Sequence, residues 1–422
     1  MRKVLIIAYP FSRNVIGAVR LRGLAKYLSE LSWEPTILTV KSSQNLKFPY
    51  RIIEAEADGL LIQWKKKIDK LSGSENNSNI NVQQTKSRKS NFDFLLKMGG
   101  QFFAYPDLQK YWYEPAVDQG SKLLEKEDFD AIISSSSPVT SHLVANELKK
   151  RFKIPWIADF RDLWTQNPYY HYNFLRKFFE QRLEIKTLKN ADILTTTTTC
   201  FADELKSLHG REDVFPILNG FDPDQTIKNT ILSDKLNLTY SGLLYRGKRD
   251  PKLLFKALEE LDSEKSIELS KFSIDFYSPV ENWLMNEVEE YHLENVVNVH
   301  GMIPREEVLK KQRESQILLL LSWNNPQEQG IIPGKIYEYL DAGRPILSIG
   351  PSEGLVKDLI QSTNTGIHLS GYESVKKVLK MFYDEFEERG KIEYGGIPEE
   401  IDKYSQREMA KKFTILLDKI VE

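Results

Sequence analysis

The chain has a single cysteine, Cys200, in 422 residues. That excludes an internal disulfide and any metal cluster built on cysteine alone, and it suits a reducing compartment. Long apolar runs are also missing. None approaches ~20 residues, so no segment reads as a membrane span, and the cytoplasm is the expected location. The opening MRKVLIIAYPF carries only a short apolar stretch and reads as a first buried strand rather than a secretory leader. Nor is there an excess of charge of one sign: 58 basic residues face 60 acidic ones, a net charge of −2. Such a balance gives no global pull toward nucleic acid. The six histidines lack metal-ligand spacing and no HExxH occurs, so no metal site is expected.

What remains is a chain 41% hydrophobic and 28% charged, long enough for two domains with their own cores. Short apolar runs alternate with helical-period segments: Val4–Ala8, Val19–Leu31, Thr36–Val40, Ala131–Ser134, Ser141–Lys150. The alternation restarts with Leu238–Ser241, Lys252–Leu261, Phe272–Tyr277, Val297–His300, Ile317–Ser322, Lys335–Leu340 and Pro345–Ile349. Strands buried on both faces and separated by helices predict parallel sheets, hence two doubly wound, Rossmann-like α/β domains. We expect a first domain over 1–215, a hinge at 216–224 around Pro216 and Asn219-Gly220, and a second domain over 225–400. A C-terminal helix within 401–422 is free to cross back to the first domain. Residues 63–91 read as a polar, basic excursion, with Lys65, Lys66, Lys67, Lys70, Lys86, Arg88 and Lys89 against Asp69 and Glu75. Aromatics follow from Phe92 to Tyr113, and a basic loop beside them suits an anionic lipid surface as well as it suits an ordinary exposed loop.

Two signatures are excluded before the strongest one is considered. Gly330 and Gly334-Lys335 are one residue too close for a P-loop, and Ile336 stands where a metal-binding hydroxyl is needed. Asp128-Phe129-Asp130 and Asp222-Pro223-Asp224 spell a DxD, but one precedes a buried strand and the other sits at the hinge. The informative segment is IIPGKIYEYLDAGRPILSIG, Ile331–Gly350. Pro333 and Gly334 open a short helix, Lys335 and Glu338 share its face, Gly343 ends it and Pro345 leads a strand. A helix N-terminus with a lysine in its first turn suits a diphosphate. A carboxylate one turn on can accept both hydroxyls of a ribose, although local spacing alone equally allows a solvated Lys–Glu pair.

Pro333, Lys335, Glu338, Gly343 and Pro345 resemble the P-x-K-x-x-E-x-x-x-x-G-x-P signature of GT-B glycosyltransferases, particularly the retaining family 4. The resemblance extends along the chain. GAVRLRGLAKYL is similar to the family's glycine loop and first helix, with Gly17 and Arg20 implied to lie at the donor. PWIADFRDLWTQNPYY is similar to its D-x-R-D-x-W element, which implies that Asp159, Arg161 and Asp162 stand at the chemistry, Asp162 against the acceptor hydroxyl. Asn219-Gly220-Phe221-Asp222 resembles its N-G-x-D connection, implying a hinge. LTYSGLLYRGKRD resembles its second glycine turn, so Gly242, Arg246, Lys248 and Arg249 are implied donor-binding residues together with Gly334, Lys335 and Glu338. Here Gly330 replaces a family glutamate, Ile16 the first of two glycines, and Leu243 the usual arginine; Glu328 lies two residues from the missing carboxylate.

The resemblance implies a GT-B fold, a nucleoside-diphosphate sugar donor, transfer with retention, no metal or other cofactor, and a lipid-linked or polysaccharide acceptor. It also implies peripheral contact with an anionic membrane on the cytoplasmic side. Two alternatives stay open on sequence: a nucleotide-sugar epimerase of the same fold, and a catalytically degenerate nucleotide-sugar-binding protein.

Overall fold

The computed structural model describes residues 1–12, 16–42, 48–57, 105–170, 172–225, 230–325 and 328–422. The excursion expected at 63–91, and Phe92, Phe94, Phe102 and Phe103, lie outside the described residues. The chain divides into two compact units, one of residues 1–218 and 410–422, the other of residues 219–409.

The first unit is built on seven parallel strands: β1 (Arg2–Ile7), β2 (Trp33–Val40), β3 (Arg51–Ala55), β4 (Ala131–Ser136), β5 (Trp156–Phe160), β6 (Ile193–Thr196) and β7 (Val214–Pro216). They are ordered β3-β2-β1-β4-β5-β6-β7. The order reverses direction at β1 and β4, the switch point of a doubly wound sheet. Its helices are α1 (Val19–Leu28), α2 (Tyr113–Leu124), α3 (Thr140–Phe152), α4 (Phe174–Leu188) and α5 (Thr199–His209). Val4 to Ile7 and Ala131 to Ile133 are fully buried, as central strands covered on both faces must be. Trp33, Trp112 and Trp156 are among the largest buried side chains, each displacing enough water to stabilise the unit by roughly 2–3 kcal/mol.

The second unit has six parallel strands: β8 (Leu236–Ser241), β9 (Phe272–Tyr277), β10 (Val297–Val299), β11 (Ile317–Leu321), β12 (Ile346–Ile349) and β13 (Gly366–Leu369). Their order is β10-β9-β8-β11-β12-β13, again with the switch beside the first strand of the unit. The helices are α6 (Lys252–Ser263), α7 (Asn282–Glu290), α8 (Arg305–Glu314), α9 (Lys335–Ala342), α10 (Leu355–Thr363), α11 (Tyr372–Arg389), α12 (Pro398–Asp402) and α13 (Gln406–Val421). Residues 410–421 of α13 belong to the first unit, where Arg2 and Trp33 both bond the Asp418 carboxylate, at 2.7 and 3.1 Å.

The stretch expected as a hinge, 216–224, spans the boundary of the two units, and Asn219-Gly220-Phe221 lies in the second. Phe221 donates to the Tyr404 carbonyl at 3.1 Å and accepts from the Gln406 amide at 2.7 Å. A Cβ on Gly220 would stand 2.4 Å from the Ser405 carbonyl carbon, so only glycine allows the approach. Among the described residues no helix is long and apolar enough to cross a membrane.

Candidate active site

In the second unit the chemistry-bearing residues gather at the carboxyl ends of β8 and β11, where open parallel sheets bind ligands. Helix α9 begins after Gly334 and ends at Gly343, whose φ of 63° is the left-handed cap that glycine accommodates. Ile336, Tyr337, Tyr339 and Leu340 are buried and fix the helix on the sheet. That leaves Lys335 and Glu338 in its first turn.

The Lys335 ammonium rests 3.6 Å from the centroid of the Tyr240 ring, at the end of β8. Its Nζ is buried and, among the described residues, has no hydrogen-bond partner. Burial lowers its pKa well below the ordinary 10.5, the charge of Arg249 lowers it further, and Glu338 opposes the shift. Gly242, at φ 102°, comes next to it: a Cβ there would lie 3.4 Å from Nζ. Glycine at this turn is therefore favoured by the backbone angle, while a Cβ would only reach ordinary contact with the amine.

Glu338 takes a 2.8 Å ion pair from Arg305 on Oε1. Its Oε2 receives a long contact, 3.4 Å, from Gln312, which also bonds Ser241 at 3.0 Å. The three cations after Gly242 separate. Arg249 is close enough to depress Lys335, and its guanidinium lies 4.6 Å from the centroid of Tyr245. Lys248 sits over Trp323 at 4.1 Å, and Arg246 is exposed on a turn where its φ is 55°. Glu328 is nearly buried and lines a small cavity with Ser322 and His368.

In the first unit, β5 holds Asp159, which the resemblance implies to stand at the chemistry, with its carboxylate turned into the buried layer. It is wholly buried and accepts four bonds: from Arg20 at 3.0 and 2.9 Å, Ser135 at 2.8 Å and Thr195 at 2.9 Å. Burial alone would raise its pKa; the Arg20 charge and these bonds outweigh that and hold it below the usual 3.8. Arg20, expected at the donor, is likewise buried. It donates to the Leu218 carbonyl at 3.1 Å and lies 5.3 Å from the centroid of Phe413. The two side chains brace β5 against α1 and α13 and present no free face.

Arg161 and Asp162 follow β5 and stay accessible, their side chains 25% and 47% exposed. Arg161 grips the Asp162 carboxylate at 3.0 and 2.7 Å. Its guanidinium occupies the space beside Gly17, where a Cβ would be 2.0 Å from Nη1. At Gly17, which the resemblance implies to lie at the donor, the missing side chain makes room for Arg161. Sequence reasoning missed Tyr240, Arg305 and Gln312 in one group and Ser135 and Thr195 in the other. Tyr240 lies within the second glycine-turn segment but at no position the signature marks, and the others stand in no local motif, because each reaches its partner through the fold.

Residues 95–220 match the family model described as a glycosyl transferase 4-like domain. No curated protein matches by sequence. Among solved structures, sucrose-phosphate synthase of Thermosynechococcus elongatus is similar over 99% of both chains, with 13% identity and a TM-score of 0.61. HepE of Anabaena in complex with UDP is similar over 99% of this chain and 100% of its own, with 12% identity and a TM-score of 0.59. The lipopolysaccharide outer core galactosyltransferase WaaB has 13% identity and a TM-score of 0.57 over 99% and 100% of the two chains. At these identities the likeness is one of fold. The chain thus has the GT-B fold, and residues 95–220 are similar to a glycosyl transferase 4-like domain.

Proposed function

We propose that the chain is a glycosyltransferase that moves a sugar from a nucleoside-diphosphate sugar to a hydroxyl of a lipid-linked or polysaccharide acceptor, with retention and without a metal. The observation that carries this reading is Lys335: a buried amine with no hydrogen-bond partner, at a helix N-terminus and beside a glycine turn. An ammonium with its hydrogen bonds unmade is costly to bury, and a diphosphate would relieve that cost. A neighbour of the same fold was solved with UDP, which fits the same donor class.

In this reading the diphosphate lies against Lys335, Arg249 and the first amides of α9. Breaking the glycosidic bond puts new negative charge on the leaving phosphate, and these groups stabilise it where it develops. Glu338 keeps Arg305 on Oε1 and offers Oε2 to the ribose hydroxyls. Asp162, held by Arg161, meets the acceptor hydroxyl, and Arg20 and Asp159 are positioning residues beneath it. Gly330 leaves no carboxylate at the place the family resemblance assigns to one, so a front-face route, with the departing phosphate helping to take the acceptor proton, suits these residues better than a covalent intermediate. Metal independence is supported by the cations on this surface and is tested by activity in chelator.

The test pairs two variants. Glu338→Ala should weaken UDP binding at least tenfold by titration calorimetry, the scale of one charge-assisted bond. Asp162→Asn should leave donor binding intact and lower turnover. Unchanged UDP affinity in the first variant removes the ribose assignment, and nucleoside diphosphate release that needs no acceptor points to the epimerase alternative.

A further inference from the structure

On the first unit, α4 turns its apolar side chains outward. Phe174, Leu175, Phe178, Phe179 and Ile185 are all exposed, Phe174 at 85%. They recur three and four residues apart, so they share one face, and Arg182, Lys186 and Lys189 fall within it. Arg182 lies 4.2 Å from the centroid of Phe178, its stem along the aromatic surface. The two carboxylates of the helix point the other way. Glu180 is buried on Trp164 Nε1 at 3.1 Å and Arg176 Nε at 2.6 Å, and Glu184 on the Thr165 amide at 3.1 Å. The outer face therefore combines five large apolar groups with three cations and no acid, on a chain whose net charge is −2.

We infer that this face docks on an anionic lipid bilayer, with the phenylalanines at the headgroup boundary and the cations on lipid phosphates. The inference goes beyond the proposed function, and its evidence is independent of the donor site. Charge complementarity selects the occupant. Lysine is depleted in protein–protein interface cores, whereas aromatic and basic side chains interleaved at helical pitch are what an interfacial helix presents to anionic lipid. All of the face belongs to α4 and the residue after it, so docking needs no rearrangement of the sheet.

The test is co-sedimentation of the full chain with phosphatidylcholine vesicles, with and without one-third phosphatidylglycerol. Wild type should partition to the anionic vesicles and lose partition as salt rises. Arg182→Glu with Lys186→Glu should reduce partition about 25-fold or more, at roughly fivefold per basic side chain, and Phe174→Ser with Phe178→Ser at least tenfold. Both double variants should keep the wild-type melting temperature and UDP affinity. Equal partition to neutral vesicles, or wild-type partition in both variants, overturns the inference. So does a dimer in gel filtration that the serine variant disperses, since that assigns the face to a second copy. A fall in melting temperature on the serine substitutions overturns it as well, since that assigns the face to cover from within this chain. Loss of UDP binding with vesicle partition kept would instead count against the donor-site reading.

Discussion

Asp159→Asn separates a carboxylate that reacts from one that braces. In the fold Asp159 accepts four bonds, two of them from the Arg20 guanidinium, and both partners are out of water. The amide keeps the size of the side chain but removes its charge and turns an NH2 toward two of the four donor atoms that the carboxylate accepts from. Breaking a buried pair from one side costs about 3–5 kcal/mol, because the remaining charge is left without compensation. In a unit of roughly 200 residues, 1 kcal/mol moves the melting temperature by about 2–4 °C, so the first unit should melt about 10 °C lower. Calorimetry reads this, with the transition that UDP leaves unmoved taken as that of the first unit. Arg20→Met combined with Asp159→Leu should recover most of the loss, since an apolar pair of similar volume needs no desolvation. The stabilisation is also pH-dependent in a defined sense. The folded pKa is depressed, so the contribution is complete above 3.8 and is lost as pH falls through the lower folded value. A variant that melts within 1 °C of wild type yet loses turnover would refute the argument and return Asp159 to the chemistry.

Three further perturbations test other parts of the structure. Lys335→Met should weaken UDP binding about 10–100-fold, the loss of one charge-assisted contact, while melting stays level or rises because an unpaired ammonium is removed. With wild type, binding between the depressed pKa and 10.5 should take up a proton and weaken as pH rises, seen as buffer-dependent heats in calorimetry; heats equal in all buffers would contradict it. His142 is buried against Ser134 with its pKa lowered to about 3 from 6.5. The unfolded chain takes the proton first as pH drops from 6.5 toward 3, so stability should fall by about 1.4 kcal/mol per unit there, a slope that His142→Asn flattens in urea titrations. Gly220→Ala should lower the melting temperature of the second unit by several degrees, because the Ser405 backbone, 2.4 Å from the new Cβ, must move; wild-type melting would show that the 221–405 bridge yields freely.

The parallel sheets were legible because central strands covered on both faces are almost wholly apolar. Val4 to Ile7 and Ile317 to Leu321 announce themselves this way, and their observed bounds differ from the expected ones by one or two residues. Strands β6 and β13 were not legible. Ile193–Thr196 is half threonine, and Gly366–Leu369 contains a glycine and a histidine; burial and ladder bonds settle such segments, and neither appears in a local pattern. Helix α9 was readable for the opposite reason: Pro333, Gly334 and Gly343 punctuate it locally, so the spacing of Lys335 and Glu338 translates directly into one shared turn.

The same local logic could not rank the acidic residues of the first unit. Asp159 and Asp162 stand three apart and carry the same chemistry, and position in a motif gives them equal standing. What divides them is whether the strand has ended. Asp159 is inside β5, so its side chain enters the layer under α1 and every lone pair finds a donor; Asp162 lies past the end and remains half exposed with its guanidinium partner. Saturation marks the first as a brace, because a carboxylate whose bonds are complete and whose charge is matched has nothing to offer a reacting hydroxyl. Lys335 is the converse, a buried amine whose hydrogen bonds are unmade among the described residues and which meets the Tyr240 ring and the opposing charge of Glu338 instead. A ligand anion is the group that would complete it. The contrast between a saturated and an unsaturated buried charge therefore assigns roles that residue identity and spacing leave equal.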